Sequence, residues 1–287
     1  MTLPPGAGDA RRIGGGDINE AFRVRLADRR EAFVKTRADA APGEFAAEAA
    51  GLGWLAEPGA LRTPRVLEVD DGYLALEWVE RGRLSDAGAD ELGRGLAETH
   101  AAGAPCFGMP DGGPGAGFGS LRLSNEPTDD WASFYAERRI APLARLAAER
   151  GLIAAAAERS LERICARMPE LTGAPEPVAR LHGDLWSGNA CADRDGTPCV
   201  YDPAVAGGSR ELDLAMMRLF GGFPRRTFDA YAESFPLLPG HADRVALYQL
   251  YFLLVHVAIF GAGYVAQTNQ CLRAITAGRP RTGHTPL

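Results

Sequence analysis

Leu181 to Asn189 reads LHGDLWSGN, and Tyr201-Asp202-Pro203 follows after a short apolar run, Cys199-Val200-Tyr201. His182, Asp184 and Asn189 stand at the spacing H-x-D-x-x-x-x-N, and Asp202 lies thirteen positions past Asn189. A carboxylate can accept the proton of an attacking hydroxyl, while an amide and a second carboxylate are hard oxygen donors suited to Mg²⁺ or Mn²⁺. The set therefore points to phosphoryl transfer, with Asp184 as base and Asn189 and Asp202 as metal ligands against a polyphosphate. A Gly/Asp/Asn turn between strands would use some of these residue types. It would not call for a His two before the Asp, an Asn five after it and another Asp beyond the next strand. The chemical reading is preferred.

Such chemistry needs an upstream element to hold the nucleotide. Gly14-Gly15-Gly16 is a glycine turn, followed by an alternating segment, Ala21 to Leu26, and a second strand, Ala32 to Lys35. Glycines let backbone N–H groups approach phosphate oxygens, and a lysine adds a point charge. Of the 31 basic residues thirty are arginine and one is lysine, Lys35. Genome composition can produce an arginine bias, but it does not decide where the exception falls. Lys35 is the position where a compact ammonium could not give way to a planar guanidinium. Pro42 to Ala56 is helical by periodicity, and Glu48 in its middle is the expected partner of Lys35, with Glu44 the competitor as a first-turn acid.

The strands Arg65–Val69 and Gly72–Trp78 come next, and Glu77-Trp78-Val79-Glu80 leaves the second of them, in a kinase-like fold the hinge whose backbone would receive adenine. Leu84–Ala102 reads as a helix. Ala104–Gly119, dense in Gly and Pro, reads as no regular element, being either a flap near the cleft or a surface loop. Helices are expected over about 129–150, 153–167, 211–220, 228–235 and 244–265, with a loose tail after Gly278. The fold class is α+β: a small strand-rich lobe, residues 1–79, and a large helical lobe, residues 80–287, with nucleotide between them.

The 46% hydrophobic and 24% charged composition is that of a globular chain, and a net charge of −6 gives no basic footprint for nucleic acid. Five cysteines form no C-x-x-C pair or Cys/His metal pattern, so free thiols in the cytoplasm are expected. The start, MTLPPGAGDARR, lacks an apolar signal core. Val245–Val265 is apolar, but Gln249, His256 and tyrosines interrupt it. It reads as a buried helix rather than a membrane span, with His256 a hydrogen-bonded histidine rather than a ligand.

The phrase LHGDLWSGN, including Trp186, resembles the signature of the fructosamine/ketosamine kinases, of the protein-kinase-like fold shared with aminoglycoside and choline phosphotransferases. Tyr201-Asp202-Pro203-Ala204, Glu211, Asp213-Leu214-Ala215, Phe220-Gly221-Gly222-Phe223, Asp130-Trp131 and Tyr248-Gln249-Leu250 are also similar to that family. The resemblance implies an ATP- and Mg²⁺-dependent kinase acting on the 3-hydroxyl of free or protein-bound ketosamines, which makes the adduct unstable and frees the amine. Lys35 would bind the α/β-phosphates and Glu48 would orient it. Trp186 would line the sugar pocket or pack the lobes. Asp213 would tie down the catalytic-loop backbone beside His182. Some relatives carry a redox cysteine directly after the glycine run; Asp17 stands there, so that regulation should be absent. A phosphotransferase for another small hydroxylated amine, such as an aminoglycoside, is the alternative in the same class. A non-catalytic ATP-binding module is the alternative outside it, although no chemical position is vacant. A protein kinase is disfavoured, because ten residues between Asp202 and Asp213 leave no room for an activation segment.

Overall fold

The structure is a computed structural model that describes residues 3–5, 7–14, 19–112, 116–118 and 121–277. Alternating sequence over the first eighty residues builds an antiparallel sheet of order β1-β2-β3-β5-β4. Its strands are β1 (Gly8–Ile13), β2 (Glu20–Arg25), β3 (Glu31–Thr36), β4 (Val66–Asp70) and β5 (Tyr73–Glu77). Phe22, Val24, Ala32, Val34, Tyr73 and Ala75 bury one face. On the other face α1 (Glu44–Ala56) packs Phe45 and Leu52 against Leu74 and Leu76. Strand β3 lies between β2 and β5, so Lys35 sits on an interior strand opposite Ala21 and Leu74.

After the two-residue β6 (Arg81–Gly82) the chain is mainly helical. Ser85 caps α2 (Asp86–Ala101) by accepting from the Gly88 N–H at 2.9 Å. The Gly/Pro-rich stretch is not wholly irregular, as its β7 (Ala116–Phe118) pairs antiparallel with β8 (Leu121–Leu123), just past it. Asp130 caps α3 (Trp131–Phe134), which runs through a π-helical turn, Tyr135–Ile140, into α4 (Ala141–Glu149). Helices α5 (Ala155–Ala166) and α6 (Met168–Leu171) follow. The second half is not all helix. Four short strands, β9 (Ala179–Leu181), β10 (Ala190–Asp193), β11 (Pro198–Val200) and β12 (Ala206–Gly208), frame the LHGDLWSGN stretch. They form two small antiparallel sheets, β11-β10-β6 and β12-β9.

The remaining helices are α7 (Glu211–Leu219), α8 (Arg225–Ser234), α9 (His241–Phe260) and α10 (Val265–Ala277). The expected helix 244–265 ends early: Gly261 takes φ +76°, a 3₁₀ turn follows, and α10 begins at Val265. The run His241–Ala277 is long and apolar enough to cross a membrane by composition. Ten residues of α9, from Leu247 to Ala258, are nevertheless buried, against Trp131, Tyr135, Leu143 and Leu161. That is the packing of a core helix. All five cysteines are free thiols.

Helices α2 and α8 approach closely at Gly93, where an added Cβ would stand 2.2 Å from the Thr227 carbonyl oxygen and 3.0 Å from the Tyr231 nitrogen. Both obstacles are backbone, so neither can rotate away. Gly93→Ala should therefore cost about 1–3 kcal/mol of stability, measurable as a lower urea midpoint with an unchanged slope.

Candidate active site

The Lys35 ammonium is buried and donates to Glu48 Oε2 at 2.7 Å and to Asp202 Oδ1 at 2.8 Å. Of the two acids that periodicity leaves open, Glu48 is thus the partner. Glu44, one turn earlier, instead receives Arg37 and Arg122. Burial alone would discharge the lysine, but the two carboxylates override it and raise its pKa. Asp202 is likewise opposed by burial, yet the charge and hydrogen bond of Lys35 hold it below the ordinary carboxylate range. One ammonium cannot fully compensate two anions. Glu48, whose Oε1 is buried without a hydrogen-bond partner, is pushed up to about 7 by burial, Lys35 only partly offsetting this and Asp202 adding repulsion. Asp202 reaches Lys35 from a left-handed backbone, φ +56°, a conformation that costs a non-glycine residue about 1–3 kcal/mol.

The loop carrying Asp184 is held by its backbone. Asp213, at the start of α7 and fully buried, accepts from the His182 N–H at 2.7 Å and the Gly183 N–H at 2.8 Å. Gly183 has φ +82°, and a Cβ there would meet the Ala204 carbonyl oxygen at 2.0 Å, so only glycine fits between β9 and β12. The His182 ring bridges the Tyr201 carbonyl (Nε2, 3.1 Å) and the Asp184 N–H (Nδ1, 3.3 Å). That arrangement uses the neutral tautomer, and burial lowers the histidine's pKa accordingly. The Asn189 amide nitrogen donates to the Asp184 carbonyl and to its Oδ2, both at 2.9 Å, tying the two ends of the loop together. Burial raises the Asp184 carboxyl well above its ordinary value, and the negative charge of Asp202 adds to this.

Two residues of this arrangement lie outside any local motif. His100 at the end of α2 reaches Asp213 Oδ2 through Nε2 at 3.2 Å, and its Nδ1 lies 2.8 Å from the Tyr231 hydroxyl on α8. Nothing near either residue in the sequence marks it; a lone histidine late in a helix was the only sign. Elsewhere, Trp186 is 38% exposed and stands edge-on to Phe220, whose ring in turn contacts His256. His256 is hydrogen-bonded through Nδ1 to the Phe252 carbonyl at 2.7 Å, as expected, but is only half-buried. At the expected hinge, Glu77 ends β5 and pairs with Arg62 and Arg65, Trp78 lies under Arg23, and Val79 follows. Gly14 closes the described part of the first strand segment, whereas Gly15, Gly16 and Asp17 lie outside the described residues.

The site thus gathers three carboxylates, from Glu48, Asp184 and Asp202, around one ammonium. That negative excess suits a divalent cation. Among the described residues no group of three His, Cys, Asp or Glu could hold a metal by itself. Asn189 and Asp202 fit Mg²⁺ as part of an octahedron that needs phosphate oxygens and water to complete it.

Asp213 is also the residue whose charge the fold most visibly needs. Burial would raise its pKa, but His100, His182 and the Gly183 N–H lower it below 3.8. Its depressed folded-state value means that its contribution is present above pH 3.8 and is lost as the pH falls through the folded value. Asp213→Asn should destabilise the protein by about 2–4 kcal/mol at pH 7 and flatten the acid limb of stability against pH, as read from urea midpoints between pH 3 and 7.

Comparison with known proteins agrees with this geometry. The sequence profile of the fructosamine kinases matches residues 5–277. A crystal structure of a fructosamine-3-kinase candidate from Thermobifida fusca is 41% identical, covers 95% of this chain and 94% of its own, and superposes with a TM-score of 0.87. A probable ketoamine kinase of Enterococcus faecium is 36% identical over 263 residues, 90% of this chain and 92% of its own. A chloroplastic protein-ribulosamine 3-kinase of Oryza sativa is 34% identical over 263 residues, 88% of this chain and 74% of its own. With its protein-kinase-like fold, the chain belongs to the fructosamine kinase family, ATP-dependent phosphotransferases that act on a hydroxyl group.

Proposed function

We propose that the protein is a cytoplasmic ATP-dependent kinase that phosphorylates the 3-hydroxyl of ketosamines, the adducts of sugars with amines. The observation that carries the proposal is the meeting of Lys35, Glu48 and Asp202 beside a carboxylate, Asp184, that Asn189 holds in place. The names of the relatives favour a ketosamine over an aminoglycoside as acceptor, and the complete set of chemical residues disfavours a non-catalytic module.

In this reading nucleotide lies between lobes 1–79 and 80–287, with adenine at the backbone of Glu77-Trp78-Val79 and phosphates under Gly14-Gly15-Gly16. Lys35, oriented by Glu48, contacts the α/β-phosphates. Asn189 and Asp202 would hold Mg²⁺, which supplies charge neutralisation to the transferring phosphoryl group. Asp184 takes the proton of the sugar hydroxyl. Its raised pKa suits that task, because a carboxylate kept basic by burial and by Asp202 accepts a proton more readily. Trp186, exposed beside the base, would lie along the sugar. Elimination of the 3-phosphate and hydrolysis of the resulting imine would then free the amine, a repair reaction.

The deciding experiment is a panel of ketosamines (fructosyl, ribulosyl, erythrulosyl) and aminoglycosides with labelled ATP. Ketosamines should be the substrates, and Asp184→Asn should lower kcat by ~10²–10⁴-fold while ATP affinity changes little. Transfer to aminoglycosides alone would overturn the acceptor; near-normal turnover of the variant would remove Asp184 from the mechanism. Lys35 provides an independent check. Lys35→Arg keeps the charge, but its wider planar head cannot sit between Glu48, Asp202 and the phosphates. It should lose most kcat/KM for ATP, nearly as much as Lys35→Met.

A further inference from the structure

Glu44 and β8, just past the Gly/Pro-rich stretch, have no part in the chemistry above, yet they meet. Arg122 on β8 reaches the Glu44 carboxylate at 2.9 Å, and Arg37 reaches the same carboxylate from the end of β3. Glu44 also accepts from the Ala41 N–H at 3.2 Å. Its side chain is 11% exposed, that of Arg37 12% and that of Arg122 36%, so the carboxylate is enclosed while Arg122 stays partly in solvent. Arg37 in turn donates to Asn19 Oδ1 at 3.1 Å, just before β2. One carboxylate on the first turn of α1 therefore joins the end of β3, the helix bearing Glu48 and the strand bearing Arg122.

The chain on either side is fastened close to Asp202. Gly108 and Gly207 exchange backbone hydrogen bonds of 2.9 and 2.7 Å, and Asn125 Nδ2 donates to the Val205 carbonyl at 3.1 Å. Arg139, buried and lying over Phe134, fixes Asn125 Oδ1 and the Ser124 carbonyl. Pro203 and Val205 also lie against α1 at Gly51, where an added Cβ would stand 3.3 and 3.4 Å from their side chains. The two carboxylates around Lys35 come from α1 and from Asp202, and the few residues from Arg122 to Asn125 reach both places.

We infer that residues 122–125 are a strap that sets α1 against Asp202, and that Arg122, clasping Glu44, is a positioning residue for the nucleotide site. The inference rests on the kinase reading. A strap of this kind acts on the nucleotide side, through Glu48 and Lys35, more than on the acceptor side.

The test measures KM for ATP and for the acceptor, calorimetric ATP–Mg²⁺ binding, and Tm for Arg122→Ala, Arg122→Lys, Glu44→Gln and the Arg122→Ala/Glu44→Gln double variant. Arg122→Ala should raise KM for ATP about 3- to 10-fold, with acceptor KM and Tm nearly unchanged, and Arg122→Lys should recover part of the loss. The double variant should be no worse than its worse parent, because both remove one clasp. Unchanged KM for ATP in Arg122→Ala, equal rises in both KM values, or additive losses in the double variant would each overturn the strap while leaving the kinase standing. A wild-type protein that binds no ATP would overturn the kinase reading itself.

Discussion

Everything in the cleft depends on one ammonium that cannot be left alone. Taking a lysine out of water costs several kcal/mol unless partners replace its hydration. The partners of Lys35 come from two distant parts of the chain, α1 and the turn after β11. The sheet, the helix and the helical bulk must all be in place before this charge is tolerable. No local segment can assemble the site by itself. The arrangement is also over-supplied with negative charge, since two anions share one cation and one of them, Glu48, retains a high proton affinity. The excess is at the point where the proposed function puts a polyphosphate and its counter-ion.

Asp184 is positioned by a different device, a chain of hydrogen bonds that never touches its carboxylate. Tyr231 on α8 meets His100 on α2, His100 meets Asp213 on α7, and Asp213 holds two successive N–H groups just before the base. The packing of α2 on α8 is thereby linked to the geometry of the loop, whose Leu185 shares a core cluster with Leu92, Leu96 and Tyr231. Asn189 closes the loop from its far end.

How far this could be read in advance follows from sequence separation. His182, Asp184, Asn189 and Asp202 were legible because the β10–β11 hairpin brings them together within a short stretch, and hairpin spacing survives in sequence. Lys35 was legible from composition, being the single exception among the basic residues. Glu48 was legible as its partner from its place in mid-helix, and the contact bears that out; what Glu44 does instead was not, because Arg122 is far along the chain. His100 and Tyr231 were invisible for the same reason, each meeting its partner across more than a hundred residues. Strands β9 to β12 have three or four residues each, too few to show alternation. The end of α9 was missed because the apolar pattern carries on past Gly261, and only the backbone angle there shows the break.

The inventory of amines has a consequence for the protein's own chemistry. Reducing sugars attach to amines that are exposed and unprotonated. In this chain the side-chain amines number one, and that one is buried, protonated and enclosed by two carboxylates. Guanidinium groups carry the rest of the side-chain positive charge, in a form that aldoses attack far less readily than they do lysine. An enzyme that removes sugars from the amines of others would thus work in a sugar-rich cell with few side chains of its own to be modified. The one side-chain amine is the one its nucleotide would cover.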